Sequence, residues 1–90
     1  MQAYVYKSQR KADTFVYLAA RDDFERIPDS LRAPLGDLAF VLEVALTSER
    51  KLARENTETV RQNLASRGFH IQFPPQIFDL QNGNAGRSDG

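Results

Sequence analysis

The apolar run at residues 38–46 constrains the fold more than any other part of the sequence. It reads LAFVLEVAL, with Glu43 as its one charged residue. Strands that are covered on both faces carry continuous apolar runs of this kind, and the branched and aromatic side chains favour a strand over a short helix. We therefore predict a central core strand. Glu43 then has two interpretations, a carboxylate that reaches solvent near the end of the strand or a buried functional carboxylate.

Three shorter segments predict the other strands of the sheet. Residues 3–7 and 14–19 are rich in Tyr, Val and Phe and are joined by a short polar link, which is typical of an antiparallel hairpin. Residues 69–73 alternate, with His70 on the face opposite Phe69. Pro74 and Pro75 end this last strand, because proline cannot donate to a ladder.

Helical patterns are short, with one exception. Residues 57–67 place Val60 and Leu64 on one face, Asn56 can cap the first turn, and Gly68 can close the last. Two further short helices are expected, one opening after Pro28 and ending by Gly36, the other within residues 49–54. We also expect Asp22 to cap a turn, with Glu25 reaching back.

These elements predict one compact α/β domain. Their order is β-β-α-β-α-α-β, which gives a four-stranded mixed sheet with short helices on one or both faces. We place the domain at residues 1–78 and expect a disordered tail at residues 79–90. Ile77 and Phe78 are the side chains of residues 76–80 that can still pack.

Composition narrows the possible functions. Twelve basic residues balance twelve acidic ones, so duplex DNA is not expected as a partner, although a local RNA-binding patch remains possible. There is no cysteine, and therefore no thiolate chemistry. The sequence has neither a signal peptide nor a run long enough to span a bilayer, so we expect a cytoplasmic protein without membrane contact.

Several short segments stand in a characteristic order: Tyr6-Lys7-Ser8, Asp22-Asp23-Phe24 with Ile27-Pro28, Leu35-Gly36, Arg50-Lys51-Leu52-Ala53, Asn56 with Val60, and residues 68–75. Together they resemble the YcgL family of small bacterial proteins, and the resemblance covers residues 1–75. The resemblance implies a four-stranded α/β/α sandwich, a bacterial source and no established biochemical function. It also implies gene neighbourhoods that include an RNase D-like exonuclease or cell-division genes. The sequence departs from the family at Asn56, where Asp is common, and at His70, where Tyr is common.

A cluster of cations at Arg50, Lys51 and Arg54 is the most conspicuous candidate site. Arg50 and Arg54 would share a face if their turn is helical, and paired guanidinium groups suit carboxylate or phosphate recognition. The alternative is structural ion pairing with Glu43, Asp22, Asp23 or Glu58, and that interpretation leads.

Other polar residues each have a functional and a structural interpretation. Asp22 and Asp23 could hold Mg²⁺ if Glu43 or Asp37 converged on them, but helix capping explains Asp22 without a metal. We expect His70 to be a surface or strand-edge residue. Tyr4, Tyr6 and Tyr17 could stack on RNA bases, although packing is the more common role of tyrosines on core strands.

Taken together, the residues favour a non-enzymatic binding or adaptor module without a catalytic residue, cofactor or metal. The expected partner is another protein. The alternatives are an RNA-associated accessory protein linked to an RNase D-like exonuclease and a small metal-dependent hydrolase. The predicted binding surface consists of Lys7, Asp22, Asp23, Arg50, Lys51, Arg54, Gln72, Pro74 and Pro75.

Overall fold

The computed structural model describes residues 1–47, 52 and 55–74. The predicted helical turn at residues 49–54 falls almost wholly outside these ranges, and the predicted tail lies outside them. The described strands are β1 (Gln2–Ser8), β2 (Phe15–Leu18), β3 (Leu38–Ala45) and β4 (Phe69–Gln72). A 3₁₀ turn (Phe24–Arg26) and helix α1 (Asp29–Leu35) separate β2 from β3, and helix α2 (Thr57–Arg67) precedes β4.

The four strands form one sheet in the order β3-β1-β2-β4. The predicted hairpin of β1 and β2 is confirmed, with Val5 opposite Tyr17. All three neighbouring pairs are antiparallel, so the sheet is not mixed in its pairing. The reason lies in the crossover. β2 and β3 run in the same direction, but β1 lies between them and is antiparallel to both.

Local signals set the ends of α2 where the sequence predicts them. The Asn56 side chain accepts a hydrogen bond from the Thr59 amide at 3.0 Å, which satisfies one free donor of the first turn. At the other end Gly68 adopts a left-handed conformation with φ of 86°, and its amide donates to the carbonyls of Asn63 and Leu64. These contacts are local, so a short sequence window contains all the residues that make them.

Apolar clusters cover both faces of the sheet, as an α/β/α sandwich requires. Strand alternation sends Ala3 and Val5 to one face and Tyr6 to the other. The α2 side packs Val60 and Leu64 against β1 and β2, and the α1 side packs Ile27 and Leu35 with Tyr6, Val16, Leu18 and Phe69. We refer to these faces as the α2 side and the α1 side.

The prediction that residues 38–46 form a central strand is wrong. They do form a strand, but β3 lies at an edge of the sheet, and among the described strands it pairs only with β1. Val44 and Leu46 are buried, whereas Phe40, Val41 and Leu42 are 40%, 45% and 45% exposed. A continuous apolar run indicates a strand, but it does not distinguish a strand buried on both faces from one whose middle lies open at an edge.

Candidate functional site at the margin of strand β3

A β-bulge in the middle of β3 sets the direction of its exposed side chains. Val5 lies opposite Leu42 and Tyr6 opposite Phe40, so Val41 is an extra residue on β3. A bulge of this kind bends the strand and re-aims its side chains. Val41 and Leu42 therefore both face the α2 side, where they line the same groove. We call the three exposed residues Phe40, Val41 and Leu42 the β3 margin.

The groove on the α2 side is open, mainly apolar and about 240 Å³ in volume. It crosses the sheet from β4 to β3. One end is polar, because the Tyr17 hydroxyl donates to Gln72 Oε1 at 2.9 Å. Its described lining consists of Val5, Phe15, Tyr17, Val41, Leu42, Val44, Leu52 and Gln72. This arrangement suits apolar side chains better than a charged ligand.

Phe40 faces the α1 side and connects the β3 margin to a charged loop. Its ring packs edge-on against Tyr6 at 5.6 Å, and the Arg21 guanidinium lies 4.0 Å above it. An arginine stacked on an aromatic ring keeps its in-plane N–H groups free to donate. The Arg21 Nε also lies 4.0 Å from Asp22 Oδ2. The β3 margin thus has an apolar flank on one side of the sheet and, on the other, a flank that carries charges of both signs.

The position of Asp22 differs from the prediction that it caps a turn. Asp23 occupies the N-cap position of the 3₁₀ turn, and no side chain caps it. Asp22 has a positive φ of 63°. Its Oδ1 accepts from the Tyr6 hydroxyl at 2.9 Å, and its amide donates to the same hydroxyl at 2.7 Å. Asp22 therefore holds the loop on the sheet through a residue that is distant in sequence.

The tyrosines of the strands are packing residues more than stacking surfaces. Tyr6 and Tyr17 are buried, and Tyr4 is half-buried. Burial raises the pKa of Tyr6 above its usual 10.0, although the hydrogen bond from the Asp22 amide opposes this rise. Burial also raises the pKa of Tyr17, and the negative charge of Glu55 adds to the effect. Both phenols therefore remain protonated donors at neutral pH.

The described residues of the predicted binding surface lie on two sides of the sheet. Asp22 and Asp23 lie on the loop of the α1 side, and Asp23 pairs with Arg26 at 3.3 Å. Lys7 alternates with Val5 and so shares the α2 side, where Gln72 lines the groove. Pro74 follows β4 and is half-buried. Arg50, Lys51, Arg54 and Pro75 lie outside the described residues, so their role stays a prediction.

His70 is more buried than a surface residue, although it lies on the edge strand β4. Its side chain is 11% exposed. The side-chain nitrogen Nδ2 of Asn63 lies 2.9 Å from His70 Nδ1. This nitrogen can only donate, so Nδ1 accepts and Nε2 is the ring nitrogen that donates to the Glu55 carboxylate. The ring also meets Tyr17 edge-on at 5.8 Å. This polar cluster joins the start of α2 to the sheet, next to the groove.

Acidic residues do not converge on a metal site in the described part of the chain. There, no group of three or more His, Asp or Glu side chains is placed to hold a metal ion. Glu43 is exposed and accepts a hydrogen bond from Gln2, which agrees with the solvent-facing interpretation. No helix within the described ranges is long and apolar enough to cross a membrane.

Sequence reasoning missed the β3 margin as a site. Phe40, Val41 and Leu42 are typical core residues, so their composition pointed to burial. The signal that could have raised doubt is the length of the run. A ninety-residue chain has few elements with which to cover both faces of such a strand.

Comparisons with known proteins identify the relatives of the chain. Residues 3–75 match the model of the YcgL domain. A YcgL domain-containing protein of Xanthomonas campestris pv. campestris is 61% identical over 77 residues, covering 86% of this chain and 90% of that protein. Another, from Thioalkalivibrio sulfidiphilus, is 57% identical over 76 residues, covering 84% of this chain and 94% of its own.

Proposed function

We propose that this chain, which belongs to the YcgL domain family, is a non-enzymatic binding module whose partner is another protein. The observation that carries the proposal is the exposure of the β3 margin. The longest described strand, which is mainly apolar, lies at the edge of its sheet, and the middle of that strand is open on both sides.

Exposure of three adjacent apolar side chains has a cost that folding alone does not explain. Full burial of a Val, Leu or Phe side chain is worth about 1.5–3 kcal/mol, and each residue of the β3 margin forgoes nearly half of this. Exposed apolar side chains that adjoin an apolar groove, as Val41 and Leu42 do, are typical of interaction surfaces. A long apolar edge strand also favours aggregation unless something covers it.

The shape of the groove favours a polypeptide over a small molecule. It is shallow, continuous with an exposed strand edge, and lined by aliphatic and aromatic side chains with one polar end. The bulge at Val41 bends β3 and makes it a less regular template for a further strand, so we expect a partner to be recognised mainly through its side chains.

The charged residues predicted from the sequence fit this surface in part. The loop that carries Arg21 and Asp22 borders Phe40, so it can set the orientation of a partner. Arg50, Lys51 and Arg54 follow β3 along the chain and stay candidates for the same role. We assign affinity to the apolar β3 margin and specificity to the charges around it.

Affinity capture from the native bacterium, followed by quantitative mass spectrometry, tests the proposal. Wild type, Phe40→Ser with Leu42→Ser, and Glu25→Gln serve as baits, the last as a control for an exposed residue outside the β3 margin. We expect a set of proteins that wild type and Glu25→Gln enrich and the double variant loses. A purified partner should then bind the double variant about tenfold more weakly or worse, the equivalent of roughly 1.4 kcal/mol. Identical sets from all three baits contradict the proposal.

A separate binding experiment examines the RNA-associated alternative. Its first direct probe is the native bacterium's RNase D-like exonuclease, tested as a purified protein with and without single-stranded RNA. Binding that depends on RNA would favour the alternative. Tyr6 and Tyr17 are buried, so they do not offer RNA bases a stacking surface and do not support this alternative.

A further inference from the structure

The groove on the α2 side begins where the described part of the chain leaves the sheet. Gln72 is the last residue of β4, and its side chain lines the groove. In the register of the sheet Gln72 lies beside Phe15, Phe15 beside Lys7, and Lys7 beside Ala39. A chain that continues from β4 therefore starts at one end of the groove, with the β3 margin at the other.

The sequence after β4 is long enough to cross the groove. Three strand spacings separate β4 from β3, which is roughly 14 Å at about 4.8 Å per spacing. Six extended residues beyond Gln72 span roughly 20 Å at about 3.3 Å each. Phe78 can therefore reach the β3 margin without any rearrangement of the sheet.

The chemistry of that sequence is complementary to the groove. Residues 76–80 read QIFDL, with three apolar side chains in five positions. The groove offers apolar side chains along the same path. Lys7 is exposed at its rim, on the same face as Val5. A segment that seats Ile77 and Phe78 brings Asp79 towards this cation.

We propose that residues 76–80 occupy the α2-side groove of the free protein and cover Val41 and Leu42. The occupancy itself does not depend on the proposed function. Its consequence does: a partner that binds at the β3 margin has to displace this segment, so the segment lowers the apparent affinity for the partner. The occupant is held in the same molecule, and its high effective concentration favours occupancy.

The absence of cysteine allows a direct test on the full chain. Asn82→Cys introduces a single thiol for a nitroxide label, and the methyl signals of the ¹³C-labelled protein report its proximity. We expect loss of the Val5, Val41 and Leu42 methyl signals in the oxidised, paramagnetic sample and their return on reduction. The methyl signals of Ile27 and Leu35, on the α1 side, should keep their intensity.

Two matched substitutions separate specific docking from a mobile label. Phe78→Asp should restore the groove signals, whereas Gln81→Asp, which adds the same charge outside the segment, should leave them lost. Unchanged Ile27 and Leu35 shifts verify that each variant is folded. The proposal is overturned if the groove signals are never lost, if both faces broaden equally, or if Phe78→Asp has no effect. Because no partner is present, failure here is distinguishable from failure of the binding function.

Discussion

The two sides of the sheet use β1 differently. On the α1 side, Tyr6 holds the Asp22 loop through two hydrogen bonds, and the buried Ser8 hydroxyl donates to the Leu35 carbonyl at 2.6 Å. On the α2 side, Val5 borders an open apolar groove. One strand therefore carries polar contacts that fix the position of a loop and a helix on one side, and on the other side buried apolar residues, of which Val5 also borders the groove.

This difference separates stability from function. Buried side chains on the α1 side, such as Tyr6 and Leu35, have defined partners, so their removal should weaken the fold. The β3 margin has exposed side chains that the described core does not require, so its removal should weaken binding. The predictions below compare matched changes on the two sides, from the largest expected effect to the smallest.

Matched leucine truncations should show the largest contrast. Leu35→Ala leaves a cavity in a fully packed site and should lower the free energy of unfolding by about 2–5 kcal/mol. Leu42→Ala should lower it by about 1 kcal/mol or less, because much of that side chain is already in water. Urea denaturation of both variants measures this. If both variants lose the same free energy of unfolding, Leu42 contributes to stability as Leu35 does, and the β3 margin is not distinct from the core.

Removal of one hydroxyl from each side should show a smaller contrast. Tyr6→Phe loses both hydrogen bonds to Asp22 and should cost about 1–2 kcal/mol. Tyr17→Phe loses one bond to Gln72 and should cost about 1 kcal/mol. The urea midpoints of the two variants compare their stabilities, provided that the m-value is the same in both. If Tyr17→Phe proves the more destabilising, the contacts of the Asp22 loop are less important than we infer.

Alkaline pH should lower the free energy of unfolding through one tyrosine on each side of the sheet. The folded pKa values of Tyr6 and Tyr17 are raised above 10.0, so the folded state retains protons that the unfolded state releases. Their contribution to stability is fully present below pH 10.0 and is lost as the pH rises through the raised values. Denaturation on each side of pH 10.0 should show this fall, and Tyr6→Phe with Tyr17→Phe should reduce it. An unchanged slope in the double variant would assign the loss to other groups.

The cationic cluster should have the smallest effect on stability. Arg50→Ala with Arg54→Ala should shift the free energy of unfolding by about 0–1 kcal/mol, the usual range for charged side chains that are not part of a buried ion pair. We expect the same variant to lose partner capture. Thermal melts and the capture experiment measure both properties. A collapsed fold would instead make these arginines structural, as the ion-pair interpretation holds.

The sequence predicts best what local contacts decide. The ends of α2 follow from Asn56 and Gly68, and the hairpin follows from two neighbouring apolar segments. The position of β3 depends on which strands become neighbours, and no short window contains that information. Asp22 teaches the same lesson. The local sequence around Asp22 indicates a cap. In the structure the hydroxyl of Tyr6, sixteen residues away, accepts a hydrogen bond from the Asp22 amide and donates one to the Asp22 carboxylate.

The candidate site was predicted only in part for the same reason. Charged residues stand out in a sequence, so the sequence indicates Lys7, Asp22 and Asp23, but the structure places Lys7 on the opposite side of the sheet from the two aspartates. The β3 margin has ordinary core composition, and only its exposure at the sheet edge distinguishes it. Edge exposure is a property of the packed sheet and has no local sequence signal.

The most direct test of the central claim is the location of the binding surface on the folded protein. Methyl chemical shifts of the labelled chain, recorded with and without a purified captured partner, measure it. We predict that the Val41 and Leu42 signals shift or disappear while those of Ile27 and Leu35 stay in place. Perturbation confined to Ile27 and Leu35, with Val41 and Leu42 unchanged, would contradict the assignment of the β3 margin as the docking surface.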